Sequence, residues 1–400
     1  MPPSAVPTAR AARLPAGVWM LGLVSLCMDT SSEMIHGLLP VFLVTVVGAS
    51  PLVLGVIEGL AEGTAALMKL VSGAWSDRLG RRLPLVVAGY GLAALSKPLF
   101  PLAGSAATVL AARLLDRVGK GIRGAPRDAL IADLTAPAQR GAAYGLRQGL
   151  DTLGAVLGPL LAVALMIAFA GDMRAVFAVA VIPAVLAVVV LVAGVREPAS
   201  HAQAASVRPA FDRTTLSRLP KPYWILVAAA GPFTLARFSE AFLLLRAQDL
   251  GLAVALVPLA LVAMNLAYAA SAYPAGALSD RLPRVHLLGY GCGILIAANA
   301  CLAFGDTLGW TFAGIVLWGL HMGLTEGLIA ALVADHAPAD LRGTAFGVLH
   351  FVRGVLLVAA SVLAGALWTG YGPSQAFVAG AVFAALAWAT LRWVPRAARP

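Results

Sequence analysis

The chain alternates between long apolar stretches and short polar connections over most of its 400 residues. A helix that crosses the hydrocarbon core of a bilayer needs roughly 20 mostly apolar residues. About twelve stretches of this length can be drawn, so the pattern predicts an all-α membrane protein with twelve transmembrane helices. The predicted segments are 17–46, 52–76, 83–103, 107–134, 141–169, 173–195, 223–246, 251–279, 286–304, 309–333, 342–369 and 374–393.

One connection differs from the others, because residues 197–222 are too polar to cross a membrane and too long for a tight hairpin. This stretch contains several basic residues and four prolines, which interrupt regular structure. It predicts a cytoplasmic linker between an N-terminal lobe of six helices, residues 1–196, and a C-terminal lobe of six helices, residues 223–400.

The second half of the chain repeats short polar motifs of the first half. The stretch GAWSDRLGRR at 73–82 returns as GALSDRLPR at 276–284, and the pattern at 132–145 returns at 334–347. The offsets are 203 and 202 positions, and each motif connects two apolar segments. An apolar chain whose halves repeat in this way is typical of membrane transporters built from two pseudo-symmetric lobes.

Composition narrows the class further. Charged residues make up 12% of the chain, against roughly 25% in soluble domains, which leaves no room for a sizeable soluble domain. The net charge is +10, and most arginines fall in connections on one side of a twelve-helix chain. By the positive-inside rule we expect both termini in the cytoplasm and the protein in a bacterial inner membrane. Because topology accounts for the basic residues, we expect no nucleic-acid partner.

The motif at 73–82 resembles the signature G-x-x-x-D-R-x-G-R-R of the major facilitator superfamily of secondary transporters. The resemblance covers nearly the whole chain, and the weaker second copy departs from it at Pro283. It implies that the motif's acid contacts neighbouring helix ends and holds the cytoplasmic side shut; the alternative is that the arginines only anchor the topology. The residues it marks for gating are Gly73, Asp77, Arg78, Gly80, Arg81, Arg82, Asp280 and Arg281.

The fifth predicted segment contains small residues at regular intervals. Gly145, Gly154, Gly158 and Pro159, followed by Ala162, resemble the superfamily's antiporter signature, with alanine in place of the last glycine. Small residues let helix backbones approach closely, and a Gly-Pro step bends a helix. The resemblance implies antiport, whereas generic close packing is the alternative.

The fourth predicted segment carries an unusual number of charges on one face. Each charge costs roughly 2.5–3.5 kcal/mol at the centre of a membrane helix, so this face must line protein or water. Arg117, Lys120 and Arg123 are the substrate-cavity candidates, and residues 117–121 resemble the superfamily's R-x-x-Q-G signature with lysine for glutamine. Alternatively, Arg113 reaches the outer interface, and Arg127 lies at the cytoplasmic headgroups.

Acidic residues on the first two segments are candidates for proton coupling. Asp29 and Glu33 share one face of the first segment with His36, and Glu58 and Glu62 share one face of the second. A carboxyl group in a low-dielectric cavity can exchange protons as the cavity opens to alternate sides. Fixed ion pairs with the bases of the fourth or fifth segment are the alternative.

The second half contains few polar residues inside its predicted helices, so the first lobe is the charged one. Its Ser-Glu step at 239–240 aligns with the Ser-Glu step at 32–33, which places one acid on the first helix of each lobe. The further substrate-cavity candidates are Arg237, Glu240, Asn265, Glu326 and Arg353.

These features favour a secondary active transporter that works by alternating access and exports a small organic molecule in exchange for protons. The alternative is proton-coupled uptake or exchange of an anionic metabolite. The net charge of the cavity distinguishes these two functions. If the acids neutralise the bases of the fourth segment, an amphipathic or cationic solute fits, and otherwise an anion does. We expect the solute, protons and the lipid bilayer as partners, and a monomer.

Other classes lack support in the sequence. No nucleophile and base, and no phosphate-binding loop, predict an enzyme or a cofactor, and the repeated lobes argue against a channel. Metal export is a narrower alternative, for which Asp29, Glu33, His36, His321 and Met322 offer ligands without an enforcing spacing. The three cysteines lie in apolar segments, where we expect small buried hydrophobes rather than a metal site.

Overall fold

The structure, a computed structural model, describes residues 14–79, 81–136, 139–197, 216–279, 282–338 and 341–394. These residues form α-helices joined by short turns, and no β-strand occurs among them. Helices are expected wherever a backbone crosses lipid, because a helix satisfies its hydrogen bonds internally. The first half contains α1 (Ala16–His36), α2 (Leu39–Thr45), α3 (Pro51–Leu79), α4 (Leu83–Ser96), α5 (Ala106–Leu134), α6 (Arg140–Ala168), α7 (Met173–Val179) and α8 (Val181–Gly194).

The second half follows the same order. Its helices are α9 (Lys221–Leu235), α10 (Ala241–Asp249), α11 (Leu259–Ser279), α12 (Arg284–Phe304), α13 (Leu308–His336), α14 (Arg342–Tyr371) and α15 (Pro373–Thr390).

A break divides the first helical segment of each half. In the first half the break is a turn at 37–38, and Pro40 follows it at the N-terminus of α2, where a missing N–H is tolerated. In the second half, residues 236–240 separate α9 from α10, and Pro232 lies inside α9. Both breaks lie beside the polar residues that the sequence singles out.

The backbone repeats at corresponding turns as well. Gly48 and Gly251 both have positive φ angles, 73° and 90°, which glycine adopts without steric cost. Ser105 and Thr307 both cap the helix that follows them, each accepting a hydrogen bond from a backbone N–H three residues on. The sequence repeat is therefore a repeat of local structure.

Eight helices among the described residues are long and apolar enough to cross a membrane. The predicted segments outside this set contain short helices, such as α4 and α9, or carry charges, such as α1 and α5. The eight spans are Pro51–Ser72, Arg140–Ala168, Met173–Gly194, Val254–Gly276, Arg284–Phe304, Leu308–Val333, Thr344–Tyr371 and Pro373–Trp393.

The hydrophobic core divides differently at the two ends of the helices. At the end where α2 packs against α10, one continuous cluster of buried residues combines both halves and includes Phe42, Leu244 and Val257. At the opposite end, where α1 and α9 begin and α8 ends, each half has its own cluster, one around Tyr90 and the other around Tyr223. The halves are thus joined at one end and separately packed at the other.

Among the described residues, the long helices that cross between the halves are α3 with α14 and α6 with α11. The first pair is close-packed through glycines of α3: a Cβ atom on Gly55 would lie 2.2 Å from the Ser361 carbonyl oxygen. Small residues are needed at such a crossing because backbones meet directly.

Candidate functional site

A cavity of about 480 Å³ lies between the two halves. Its walls come from α1, α3 and α5 of the first half and from α11, α13, α14 and the break between α9 and α10. At one end it is lined by Pro40, Ala241 and Leu244, from the region where the two halves share a core. The breaks in the first helical segments therefore flank the cavity.

The strongest charges in the cavity wall are paired. Arg113 and Arg117 of α5 are each 2% exposed, and both face the carboxylates of α3. An Arg113 nitrogen lies 2.5 Å from Glu58 Oε2, and an Arg117 nitrogen lies 3.0 Å from Glu62 Oε1. The two pairs form because helices α3 and α5 pack along each other. They match four of the charged side chains in the cavity wall. Arg113, expected at the outer interface in one interpretation, is instead part of this wall.

His36 connects α1 to the same arginines. Its Nε2 atom contacts Nη1 of Arg113 and lies 2.6 Å from Nη2 of Arg117. A guanidinium group can only donate hydrogen bonds, so Nε2 must accept and the imidazole is neutral in this arrangement. Its Nδ1 atom lies 3.6 Å from Glu33 Oε1.

A second layer of charge lies behind the cavity wall. Lys97 is 1% exposed and its Nζ donates to Asp116 Oδ1 at 2.8 Å and to the Ser32 hydroxyl at 2.9 Å. Asp116 also lies 3.5 Å from Arg117 Nε. Sequence reasoning missed Lys97, although a lysine in the predicted segment 83–103 was a signal that a buried partner exists.

Two of the cavity candidates do not line the cavity. Arg123 is buried, and its guanidinium carbon lies 4.4 Å from the ring centroid of Tyr90, so it stacks on α4 instead. Asn265 donates through Nδ2 to the Ala155 carbonyl at 3.0 Å and thereby links α11 to α6. The structure therefore does not bring these two residues to the cavity, because helical spacing fixes a face but not which neighbour that face meets.

The acids of α1 occupy different environments. Glu33 lines the cavity, whereas Asp29 does not and interacts electrostatically with Asp151, Arg123 and Lys120. Arg147 and Asp151 pair locally, as their spacing of four residues on α6 suggests.

The glycines of α6 differ in their surroundings. A Cβ atom on Gly154 would lie 3.0 Å from the Cβ of Asp29, and one on Gly158 would lie 2.7 Å from the Cβ of Glu33. Pro159 is buried inside the same helix. A Cβ atom on Gly145 would meet nothing within 4 Å, so the structure brings no neighbour close to this glycine. Gly145 lies on the exposed face of α6, which is why the close approach stops before it.

The second half contributes both charged and aromatic residues to the cavity. Arg237 Nη2 lies 3.0 Å from Glu326 Oε1, and Glu240 interacts electrostatically with Glu33 across the cavity. Arg353 lines the wall next to His350.

The remaining wall is aromatic. Phe238 and Trp318 line the cavity with ring centroids 5.6 Å apart, and Phe238 also contacts Phe242 and Phe377. Aromatic pairs of this kind fill space without requiring a charged partner.

The repeated motif is described only in part. Gly73, Asp77 and Arg78 belong to α3, but their side chains lie outside the described residues, and so do Gly80, Asp280 and Arg281 altogether. Arg81 is exposed. The last arginine of each motif copy forms an ion pair with an aspartate of the second repeated pattern. Arg82 Nε lies 3.0 Å from Asp133 in the first half, and Arg284 pairs with Asp335 in the second half.

The ligands offered for a metal are not brought together. Glu33, His36 and Met322 line the cavity, but His321 is buried within the second half, where its Nδ1 lies 2.8 Å from the Gly291 carbonyl oxygen. Among the described residues, no group of three His, Cys, Asp or Glu side chains could hold a metal ion.

Comparison with known proteins gives a consistent result. A family model described as Major Facilitator Superfamily matches residues 21–360 and 226–400. An uncharacterised MFS-type transporter of Methanocaldococcus jannaschii is 32% identical over 380 residues, covering 93% of each chain. The inner membrane transport protein YajR of Escherichia coli is 25% identical over 393 residues, covering 93% of this chain and 82% of that protein.

The fold also resembles solved transporter structures. The nucleoside transporter NupG superimposes with a TM-score of 0.78 at 11% identity, covering 94% of this chain and 98% of that one. At this identity the likeness concerns the fold alone.

Proposed function

The chain belongs to the Major Facilitator Superfamily and is therefore a secondary transporter rather than an enzyme, and we propose that it exports a small organic solute in exchange for protons. The proposed architecture has twelve membrane crossings in two six-helix lobes, 1–196 and 223–400, with 197–222 as a cytoplasmic linker. The proposed setting is a bacterial inner membrane, with both termini in the cytoplasm and the protein as a monomer.

The hydrophobic core supports alternating access, because the two halves share it at one end of the helices and not at the other. The lobes share one hydrophobic cluster beside α2 and α10 and have separate clusters at the opposite end, where α8 ends and α9 begins. If the linker is cytoplasmic, this arrangement corresponds to a cavity sealed from the outside. Rocking of one lobe against the other would open the cavity at the end that is now closed and close it at the opposite end.

The observation that carries the proposal is Glu33. It lines the cavity, and no lysine or arginine lies within 4 Å of its carboxylate among the described residues. It lines the same cavity as Glu240 of the opposite lobe. When two carboxyl groups occupy one low-dielectric cavity, charging both is unfavourable, so one of them can hold a proton. Glu33 is thus the proposed proton carrier, and Asp29, held against Gly154, is a second proton site beside it.

The other acids of the first lobe have a different proposed role. Glu58 and Glu62 are each paired with an arginine, so they fix the bases of α5 instead of carrying protons. The two pairs also bring the cavity close to neutral, which favours an amphipathic or cationic solute over a simple anion.

A second candidate function is uptake or exchange of an anionic metabolite. Lys69, Lys120 and Arg353 line the cavity, and none of them forms an ion pair within 4 Å in the described part of the chain. An anion that enters the cavity would find these three bases available.

Proton movement in proteoliposomes tests the proposal. Purified protein would be challenged with a lipophilic-cation pool and then with an anionic-metabolite pool, while an internal dye reports pH. A signal with cations that is lost in Glu33→Gln and Asp29→Asn, and kept in the exposed control Asp306→Asn, supports proton-coupled export. A signal with anions only would replace it by the second candidate.

A further inference from the structure

We infer that the cavity binds an elongated zwitterion, with its cationic group between Glu33 and Glu240 and its anionic group among Lys69, Lys120 and Arg353. We call the first set the acidic pair and the second set the basic cluster. The inference rests on the proposed function, because it takes this cavity as the transport site.

The charges that remain after pairing are segregated. Arg113, Arg117 and Arg237 are each matched by a glutamate within 3.0 Å. The acidic pair and the basic cluster have no such match among the described residues, although all five side chains line the cavity. A ligand with one charge would leave one of these sets uncompensated, and an unpaired charge in a partly buried site is costly.

The acidic pair lies near the closed end. The Ser239 hydroxyl donates to Glu58 Oε2 at 3.4 Å, which puts the neighbouring Glu240 at the level of Glu58 on α3. Glu33 is at the same level, since His36, one turn away on α1, contacts the arginine that pairs with Glu58. The acids come from opposite lobes, so a cation between them would bridge the lobes.

The basic cluster lies further along α3, toward the end where the lobes have separate cores. A Cβ atom on Gly121, next to Lys120, would lie 3.2 Å from the Lys69 backbone nitrogen. A Cβ atom on Gly354, next to Arg353, would lie 2.6 Å from the Ala66 Cβ. Lys69 and Lys120 interact electrostatically, and both are exposed, so their ammonium groups are accessible to a ligand.

Helix geometry separates the two sets. Glu58 and Lys69 are eleven positions apart on α3, which at about 1.5 Å per residue is roughly 16 Å along the helix. Within the basic cluster, Lys120 interacts electrostatically with Glu33. A compact zwitterion could therefore reach from the acidic pair to Lys120, but not to Lys69 and Arg353 as well. The solute must therefore carry its charges at opposite ends of an extended body.

The middle of the cavity suits such a body. Phe238 and Trp318 form an apolar wall on one side. On the other side the guanidinium groups of Arg113 and Arg117, each paired with a glutamate of α3, form a polar wall.

Binding to the detergent-solubilised full-length protein tests the inference without any proton gradient. The probes are ε-aminocaproate, its shorter analogue β-alanine, and the matched single-charge compounds hexylamine and hexanoate. Thermal-unfolding midpoints measured against probe concentration give apparent Kd values. We expect ε-aminocaproate to bind about tenfold more tightly than each of the other three.

Variants assign the two ends. Glu240→Gln should weaken ε-aminocaproate about tenfold and leave hexanoate unchanged, and Lys120→Gln should weaken ε-aminocaproate and leave hexylamine unchanged. Asp306→Asn and Lys221→Gln, both on exposed residues, are the matched controls. Each variant is first checked for a wild-type unfolding midpoint without ligand.

The inference is overturned if hexylamine or hexanoate binds as tightly as ε-aminocaproate, or if none of the probes binds. It also fails if either variant weakens all probes alike. These outcomes are separate from failure of the proposed function: zwitterion binding without proton movement in liposomes would remove proton coupling and leave the substrate class intact.

Discussion

The two halves of the chain differ in how many charged side chains they bury around the same cavity. The first half buries six charged side chains among the described residues, whereas the second half buries one, Arg246, which lies outside the cavity lining. In place of the ionic network the second half has packed aromatic rings around Phe238. The six are Glu58, Lys97, Arg113, Asp116, Arg117 and Arg123.

The difference is one of side chains, because the backbones repeat. Both halves share the helix order, the glycine turns and the capping residues. A buried ionic network has few tolerated arrangements, since each charge depends on its partner. An aromatic wall is more adaptable. This difference fits the proposal that the first lobe handles ion coupling and the second shapes the solute pocket.

The largest expected effect is on the stability of the first lobe. Lys97→Met leaves Asp116 buried without its closest cation, and removing one partner of a buried pair costs about 3–5 kcal/mol. We expect a correspondingly lower unfolding free energy in detergent. The double variant Lys97→Met/Asp116→Leu should recover most of the loss. A single variant as stable as the wild type would contradict the view that this network is rigid.

The next effect concerns the crossing of α1 and α6. Gly158→Val adds atoms where even a Cβ would lie 2.7 Å from the Thr30 carbonyl oxygen, so the helices must separate and transport should be abolished. Gly145→Val on the same helix is the matched control, since a Cβ there meets nothing within 4 Å. Solute flux in liposomes measures both. Equal flux in the two variants would mean that the crossing does not position Glu33.

The repeated motifs offer a comparison at the side that is proposed to be cytoplasmic. Asp77→Asn should reduce transport severely while the protein stays folded and inserted, because the complete first copy is the proposed gate. Asp280→Asn should have a smaller effect, since Pro283 replaces a glycine of the motif in the second copy. Flux and size-exclusion profiles check both. Full activity of Asp77→Asn would remove the gating role.

The smallest effect is expected in the aromatic wall. Phe238→Leu keeps an apolar side chain but removes three buried carbon atoms, a loss of about 2 kcal/mol at ~0.8 kcal/mol per buried CH₂ group. Solute affinity should change by no more than about tenfold, and the number of protons per solute should not change. A changed number of protons per solute in this variant would contradict the proposed division of roles between the lobes.

Much of the fold could be predicted because apolar length and repeated motifs are properties of the chain itself. The predicted segment 17–46 corresponds to α1 and α2, and 342–369 corresponds to α14. The partners of charged residues could not be predicted in the same way. Spacing put Arg117 and Arg123 on one face, yet one lines the cavity and the other stacks on Tyr90, because α4 covers part of that face.

The partners of other polar residues could not be predicted from spacing for the same reason. Lys97 meets Asp116 only through the packing of α4 on α5, which no local pattern reveals. Asn265 looked like a cavity residue because it is polar within an apolar helix, but its partner is a carbonyl of the opposite lobe. By contrast, the Ser-Glu steps at 32–33 and 239–240 were visible as a repeat, and their acids do face the same cavity.

The most direct test of the account is proton movement in Glu33→Gln proteoliposomes during solute transport, compared with Asp306→Asn. The account predicts that the pH signal disappears in Glu33→Gln, that solute exchange without a pH change persists, and that Asp306→Asn behaves as wild type. An undiminished pH signal in Glu33→Gln, persisting in the double variant Asp29→Asn/Glu33→Gln, would contradict it and require a proton carrier outside α1.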